Sequence, residues 1–228
     1  MSLNARLRGW IGEVRTSLAH RLFLDHKTYI AIHNATIITA RGTTQIDHII
    51  VSRYGIFVIE TKNRTGLIRG NEADREWTQI LRSRSFRFQN PLRQNYQHVR
   101  ALVELLGIEE HEIIPVIVFW GNCRLEGSMS PNVRRNGYTD FIKQHKRAIF
   151  ADDEVQRMAA TISKWMQPRT GRTHRDHVRQ VTERFASTTI CPRCGGTLRL
   201  RTARSGRRAG SQFLGCSRYP TCRYTKQT

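Results

Sequence analysis

The spacing of four cysteines is the sequence feature that most restricts how this chain can fold. They form two pairs separated by 21 residues, Cys191 with Cys194 and Cys216 with Cys222. Four thiolates at such spacings bind zinc tetrahedrally, and Gly195 permits the tight turn that the first pair needs. A closed set of four ligands leaves no position for a substrate, so the predicted Zn²⁺ is structural. The alternative is a disulfide or another metal-free arrangement, although a reducing cytosol disfavours disulfides.

Positive charge is concentrated in the same part of the chain. The 228 residues include 38 Lys and Arg against 18 Asp and Glu, a formal net charge of +20. Residues 168–228 carry +12 of this, with 14 basic side chains against Asp176 and Glu183. Such an excess indicates a polyanionic partner such as nucleic acid. No apolar stretch approaches the ~18 residues of a membrane span, so we expect a cytoplasmic, nucleoid-associated protein without a membrane partner.

Composition divides the chain into three parts. We expect an α/β domain over 1–166, a basic linker over 167–188 and the cysteine module over 189–228. Pro168 is one of several helix-breaking residues at the start of the linker. A short helix over 175–185 is an alternative for part of it, although that stretch lacks a clear apolar stripe.

Hydrophobic periodicity predicts the elements of the larger domain. In chain order we expect first a helix over 3–24, then strands over 29–38, 46–52 and 56–61, and a short strand around Phe86 and Phe88. A helix follows from Pro91, with Asn90 as its N-cap and Gly107 as its C-cap. After it we expect a buried strand over 113–120, a strand at 148–150 and a helix over 152–166 with Asp152 as its N-cap. This order predicts helices packed around a mixed sheet.

Two adjacent β-branched runs predict a hairpin that groups acidic and basic side chains. We expect Tyr54 and Gly55 to form its two-residue loop. That register places Asp47 opposite Lys62 and diagonal to Glu60, on one face of the sheet. A slip of one residue would move Asp47 to the other face.

Two carboxylates and a lysine on one face suit metal-assisted cleavage of phosphodiesters. Carboxylates hold hard divalent cations such as Mg²⁺, which lower the pKa of bound water and neutralise charge on the scissile phosphate. An ammonium group orients the attacking water and stabilises the developing oxyanion. The alternative is that Asp47, Glu60 and Lys62 form solvated ion pairs at strand ends.

The segment Gly42–Asn63 resembles the core of the nuclease-related domain (NERD), a branch of the PD-(D/E)XK nuclease superfamily. The similarity covers roughly residues 9–120. The residues that carry it are Asp47, the triplet Glu60-Thr61-Lys62, Gly66, Trp77 and the stretch Asn90-Pro91-Leu92-Arg93-Gln94. This resemblance implies a restriction-endonuclease-like mixed sheet flanked by helices.

The resemblance also implies a catalytic site for a divalent-metal-dependent deoxyribonuclease. Asp47 and Glu60 correspond to the ligands of Mg²⁺ or Mn²⁺, together with the main-chain carbonyl of Thr61. Lys62 corresponds to the catalytic lysine.

Two helical residues are implied as additional members of that site. Glu13, on the first predicted helix, resembles an extra acidic residue of many superfamily members. Gln94 resembles a helical glutamine that approaches the site in related nucleases. The alternatives are an ordinary solvated position for Glu13 and a helix-surface amide for Gln94.

The cysteine module resembles the C-terminal zinc ribbons of bacterial type IA DNA topoisomerases, most clearly over 213–222. Topoisomerase activity is not implied, because the large body that holds the nucleophilic tyrosine of those enzymes does not fit in this chain. Binding of single-stranded DNA is implied instead. The candidate contacts are Arg199, Arg201, Arg204, Arg207 and Arg208 for phosphates and Phe213, Tyr219 and Tyr224 for base stacking. Alternatively, Phe213 and Tyr219 only pack the ribbon.

These features together predict a nuclease that binds single-stranded or branched DNA through its ribbon and cleaves it at the carboxylates. Two other functions remain open. One is a non-catalytic DNA-binding or adaptor protein that has kept a nuclease fold. The other has RNA as the partner, since zinc ribbons also bind RNA.

Overall fold

The computed structural model describes residues 16–39, 42–135, 137–168, 170–206 and 208–227. Two compact units make up the chain, Met1–Thr39 with Thr44–Gln167 and Ala40–Thr43 with Pro168–Thr228. Within the described ranges, no helix is both long enough and apolar enough to cross a membrane. Of the helix predicted over 3–24, residues 16–23 are helical and those before 16 lie outside the described residues.

Among the residues that the structure describes, the larger unit contains two sheets and four α-helices, so the predicted mixed α/β fold is confirmed. Its strands are β1 (Tyr29–Thr39), β2 (Gly42–Ser52), β3 (Gly55–Asn63), β4 (Gly66–Arg69), β5 (Glu76–Leu81), β6 (Arg84–Gln89), β7 (Ile113–Trp120), β8 (Cys123–Glu126) and β9 (Val133–Arg134). Its helices are α1 (16–23), α2 (Pro91–Leu106), α3 (Tyr138–Lys143) and α4 (Asp152–Trp165), with a 3₁₀ turn at Glu110–Glu112.

The main sheet has the order β1-β2-β3-β7-β9. Strands β2 and β3 pair antiparallel, whereas β3 with β7 and β7 with β9 pair parallel. A second sheet, ordered β6-β5-β4-β8, lies beside it. Trp77 of β5 is fully buried and stacks on Phe119 of β7, with ring centroids 6.0 Å apart. This contact connects the second sheet to the first.

Alternate residues of β2 and β3 enter two separate hydrophobic cores. Ile49 packs in one core with Leu102 of α2, whereas Ile50 and Phe57 pack in the other with Ile142 of α3. Because successive side chains point to opposite faces, a strand covered on both faces shows an unbroken apolar run instead of alternation. The main sheet therefore separates a face covered by α2 and α4 from a face covered by α1 and α3.

Helix α2 begins and ends where the sequence predicts. The Asn90 side chain accepts a hydrogen bond from Leu92 N at 2.9 Å, and Gly107 closes the helix with a left-handed φ of 66°. The Asn90 amide nitrogen also lies within hydrogen-bond distance of three carbonyls in the loop between β4 and β5, including that of Asp74 at 2.8 Å. These bonds fix the start of α2 against the loop, and with it the residues of its first turns.

Two predictions at the start of α4 are wrong. Residues 148–150 form no strand, and the N–H groups of Ile149 and Phe150 donate to the carbonyl of Arg53 instead. The N-cap of α4 is Ala151, whose N–H donates to Glu154 at 2.8 Å. Asp152 is the first helical residue, and its carboxylate pairs with the guanidinium of Arg53 at 2.6 Å.

The described part of the smaller unit contains one helix and one sheet. Helix α5 (Gly171–Ala186) occupies most of the segment predicted to be a linker and is longer than the short helix considered there. Thr170 caps it by accepting a hydrogen bond from Thr173 N at 3.1 Å. Strands β10 (Leu198–Thr202), β11 (Gln212–Cys216) and β12 (Thr225–Gln227) form an antiparallel sheet in that order.

Candidate active site and zinc ribbon

The register of the β2–β3 hairpin differs from the prediction by two residues. Gly55 begins β3, and the loop consists of Arg53 and Tyr54. Gly55 is required by its backbone φ of +132°, and a Cβ there would also come within 2.4 Å of the Ile114 side chain. A shift of two residues returns every side chain to its original face. Asp47 therefore stays on the predicted face of the sheet. The last observed pair is His48 with Ile59, and continuing this register by one residue places Asp47 opposite Glu60 instead of Lys62.

The carboxylate of Asp47 is held in place by Thr61, the residue between Glu60 and Lys62 on β3. Its Oδ2 atom accepts hydrogen bonds from Thr61 N at 2.8 Å and from Thr61 Oγ1 at 2.7 Å. Two donors on one oxygen fix the orientation of the carboxylate. Thr61 thus has a side-chain role that the sequence did not indicate.

Glu60, Lys62 and Gln94 meet at the edge where β3 faces α2. Lys62 Nζ donates to Glu60 Oε1 at 2.5 Å and to Gln94 Oε1 at 2.9 Å. His98 lies one turn after Gln94, and its Nε2 atom is 3.3 Å from Glu60 Oε2, too oblique for a hydrogen bond. The other ring nitrogen of His98 lies 2.8 Å from the hydroxyl of Thr44.

His98 and Thr44 were missed by sequence reasoning. The available signal was the spacing of Gln94 and His98, because residues four apart share one face of a helix. The structure thus brings together Asp47, Glu60, Lys62 and Gln94 of the predicted site. Glu13 lies outside the described residues.

The two carboxyl groups have opposite pKa shifts. Burial, followed by repulsion from Glu60, raises the pKa of Asp47 to about 7, against the hydrogen bonds from Thr61. Burial also acts to raise the pKa of Glu60, but the Lys62 ammonium and the His98 ring outweigh it and lower that pKa to about 2. Between these two pKa values the pair therefore carries one proton, on Asp47.

The four cysteines of the smaller unit form one cluster. Their sulfur atoms all lie within 4.8 Å of one another, with Cys194 and Cys216 at 3.3 Å and Cys191 and Cys222 at 3.8 Å. Tetrahedral zinc with Zn–S bonds of about 2.3 Å requires sulfurs about 3.8 Å apart, whereas a disulfide requires about 2.05 Å. The spacing therefore fits a structural Zn²⁺ and excludes disulfides between these pairs.

Local backbone geometry supports the same metal site. Gly195 has a φ of +70° and donates its N–H to the carbonyl of Cys191 at 2.9 Å, which closes the turn of the first pair. In the second pair, the N–H of Arg218 points to Cys216 Sγ at 3.4 Å. Donors of this kind stabilise the negative charge of thiolate ligands.

A groove of about 220 Å³ lies on the ribbon beside this cluster. Its aromatic lining consists of Phe213, Tyr219 and Tyr224, and Arg201 and Arg223 add basic groups. Tyr219 is 60% exposed, whereas Phe213 and Tyr224 are half-buried.

The predicted nucleic-acid contacts have different positions relative to this groove. Arg201 lines it, while Arg199, Arg204 and Arg208 are exposed elsewhere on the ribbon. Arg207 lies outside the described residues. Arg223 was not among the predicted contacts, because it directly follows Cys222 and lies outside the basic run between the two cysteine pairs.

Similarity to known proteins agrees with the geometry of both units. Residues 8–120 match the nuclease-related domain, and residues 188–228 match the topoisomerase DNA-binding C4 zinc finger. An uncharacterized protein of Bacillus anthracis is 36% identical over 161 residues, which span 67% of this chain and 76% of that protein. No solved structure matches the chain. The chain belongs to the nuclease-related domain (NERD) family and carries a C4 zinc finger of the topoisomerase type.

Proposed function

We propose that this protein is a divalent-metal-dependent deoxyribonuclease whose ribbon binds DNA. The observation that carries the proposal is the convergence of Asp47, Glu60 and Lys62 at one edge of the sheet, in a chain of the nuclease-related domain family. Two carboxylates and an ammonium group are the side chains that metal-assisted phosphodiester hydrolysis requires.

The acidic residues fit a hard divalent cation. Glu60 Oε2 is buried and has no hydrogen-bond partner among the described residues, and the proximity of Glu60 raises the pKa of Asp47. A bound cation would relieve both the unpaired oxygen and the repulsion. Asp47 and Glu60 would hold Mg²⁺ or Mn²⁺, which supplies an acidic water and neutralises charge on the phosphate.

Lys62 and the α2 side chains perform the remaining steps. An ammonium group has three protons, and two of them are directed to Glu60 and Gln94. The third remains for the attacking water or a phosphate oxygen, where the charge develops during cleavage. His98 is a positioning residue, because it contacts Glu60 on one side and Thr44 on the other.

The ribbon groove supports single-stranded DNA as the bound form. Bases that are unstacked from a duplex can stack on Tyr219 and Phe213, while Arg201 and Arg223 neutralise the adjacent phosphates. The match to a DNA-binding zinc finger supports the same assignment. In this scheme the ribbon holds the strand and the larger unit cuts it.

A nuclease assay on the full-length protein tests the proposal. Single-stranded, duplex, nicked and branched DNA should be incubated with Mg²⁺ or Mn²⁺, and with chelator as the control. We expect metal-dependent cleavage that Asp47→Asn and Glu60→Gln abolish. Glu104→Gln is the matched control, because Glu104 is exposed on α2. Cleavage that continues unchanged in purified Asp47→Asn would exclude the assigned site.

One observation favours a second function, that of a non-catalytic DNA-binding protein. Lys62 and Glu60 neutralise one another directly, so the pair can stabilise the sheet edge without a metal. Tight binding of single-stranded DNA without cleavage in any divalent metal would support this function. Competition between DNA and RNA oligonucleotides of the same sequence would show which polyanion the ribbon prefers.

A further inference from the structure

Three histidines converge on the face of the main sheet opposite the carboxylates. His20 lies on α1, His33 on β1 and His48 on β2, directly after Asp47. Each contributes a ring nitrogen to a group in which all three atoms lie within 4.8 Å of one another. Nδ1 of His33 and Nδ1 of His48 are 2.8 Å apart. Because neighbours in a strand point to opposite faces, this cluster is separate from the site of Asp47.

The histidine cluster is largely buried, and three of its ring nitrogens have no hydrogen-bond partner among the described residues. His48 is fully buried and His20 is only 2% exposed. Among the described residues, neither ring nitrogen of His20 has a partner, and Nε2 of His48 has none. Buried polar atoms are almost always bonded to protein, water or an ion. Three unbonded nitrogens in one cluster therefore indicate a ligand.

The rings are in the form that binds transition metals. Burial lowers the pKa of His20 to about 3 and also lowers the pKa of His33, so these rings are neutral near pH 7. Neutral imidazole is a ligand for Zn²⁺, Co²⁺, Ni²⁺ and Cu²⁺, whereas Mg²⁺ and Ca²⁺ require oxygen atoms. The ligand chemistry thus differs from that of the carboxylates on the other face.

We propose that His20, His33 and His48 bind a divalent first-row transition metal ion such as Zn²⁺. Tetrahedral zinc with Zn–N bonds of about 2.0–2.1 Å places its nitrogens about 3.3 Å apart. The ring nitrogens of the cluster lie within 4.8 Å of one another, close to this spacing. Three ligands would leave one coordination position for water. The ion links α1 to β1 and β2.

Metal counting on the full-length protein tests this site independently of nuclease activity. After saturation with Zn²⁺ and removal of free metal, we expect His33→Ala and the bulkier His33→Gln each to hold one zinc ion fewer per chain than wild type, while the ribbon keeps its own ion. His111→Ala should hold as many as wild type, because His111 is exposed and outside the cluster.

Titration with Co²⁺ distinguishes the two zinc sites by their ligands. Thiolate-bound Co²⁺ gives sulfur-to-metal charge-transfer absorption, which an imidazole site lacks. The difference between wild type and His33→Gln should show visible ligand-field bands without that charge-transfer band. Retention of the thiolate spectrum and of the far-ultraviolet circular dichroism shows that the variant is folded. Equal Co²⁺ and Zn²⁺ stoichiometry in wild type and both His33 variants would overturn the proposal.

Discussion

Lys62 donates a hydrogen bond to Glu60 at 2.5 Å, at a position where the Glu60 side chain is 3% exposed and the Lys62 side chain 19%. An intact buried ion pair adds little net stability to a protein. Removal of one partner is nevertheless strongly destabilising, because the other charge stays buried and uncompensated. Lys62 is thus required both to neutralise Glu60 and, in the proposed function, to act on the substrate. Substitutions can separate these two requirements.

Replacement of Lys62 should reduce both cleavage and stability. In Lys62→Ala we expect no cleavage and a free energy of unfolding lower by about 3 kcal/mol, because the buried Glu60 loses the ammonium group that neutralises it. Added Mg²⁺ should recover part of the stability but none of the cleavage. Urea unfolding with and without Mg²⁺ measures this, and Lys164→Ala, at an exposed site on α4, is the control. Wild-type stability in Lys62→Ala would contradict the electrostatic role of the pair.

Replacement of His98 should lower the metal affinity of the carboxylate site more than it lowers kcat of the metal-saturated enzyme. His98 contacts Glu60 but is not placed to touch the substrate, so it acts through the orientation of that carboxylate. Loss of such supporting residues typically lowers metal affinity about 10–100-fold. We expect His98→Gln to need about tenfold more Mn²⁺ for half-maximal cleavage, with kcat at saturating metal nearly unchanged. A fall in kcat alone would instead place His98 among the catalytic residues.

Metal affinity at the carboxylates should rise with pH up to about 7. The pKa of Asp47 is raised to about 7, so a proton competes with the cation below that pH. One competing proton changes the apparent affinity about tenfold per pH unit below the pKa and not above it. Isothermal titration with Mg²⁺ at pH 5.5, 6.5 and 8 tests this, with Glu104→Gln as the control. A pH-independent affinity would show that Asp47 is not a ligand.

Acid should destabilise the larger unit through its buried histidines. The pKa of His20 is about 3 in the folded chain against 6.5 when unfolded, so the unfolded chain takes up a proton that the folded chain excludes. That contribution to stability is complete above pH 6.5 and is lost as the pH falls from 6.5 towards 3. Between pH 6 and 4 the loss from His20 alone should be about 1.4 kcal/mol per unit. Urea unfolding followed by tryptophan fluorescence measures this loss. The slope of the free energy of unfolding against pH should be smaller in His20→Asn than in wild type, and unchanged in His111→Ala.

Binding of single-stranded DNA should depend on the exposed aromatic side chain of the ribbon groove. Tyr219 is 60% exposed, and stacking of one base on such a ring is worth about 1–3 kcal/mol. We therefore expect Tyr219→Ala to weaken binding about 5–100-fold, as measured by fluorescence anisotropy at fixed salt. Tyr96→Ala is the matched control, because Tyr96 is exposed on α2 of the other unit. If Tyr219→Ala binds as tightly as wild type, Tyr219 only packs against the ribbon.

Helix α2 shows why some local structure can be predicted from sequence. Its limits depend on Asn90, Pro91 and Gly107, whose preferences for the ends of a helix are properties of single residues. The cysteine ribbon is similar, because two residues between Cys191 and Cys194 are enough to determine the turn that directs both sulfurs to one metal. In both cases the decisive contacts span only a few residues.

The short strands of the second sheet show the opposite case. Strands β4 and β8 have four residues each and pair with one another across more than 50 residues of chain. Segments of this length carry no reliable periodicity, so their pairing depends on tertiary contacts such as that of Trp77 with Phe119. The misplaced hairpin loop has a similar cause, because Gly55 is required both by its backbone φ of +132° and by the approach of β7, although it lies in β3 and not in the two-residue loop.

The sequence by itself determined which chemical groups the chain offers: four thiolates at zinc spacing, an excess of arginine around them, and the acid and lysine of β3. The tertiary structure decided which groups meet. It brought His98 to Glu60 across 38 residues of sequence and gathered His20, His33 and His48 from a helix and two strands. Contacts between distant elements depend on how the sheet and helices pack, and the spacing of residues along the chain does not encode them.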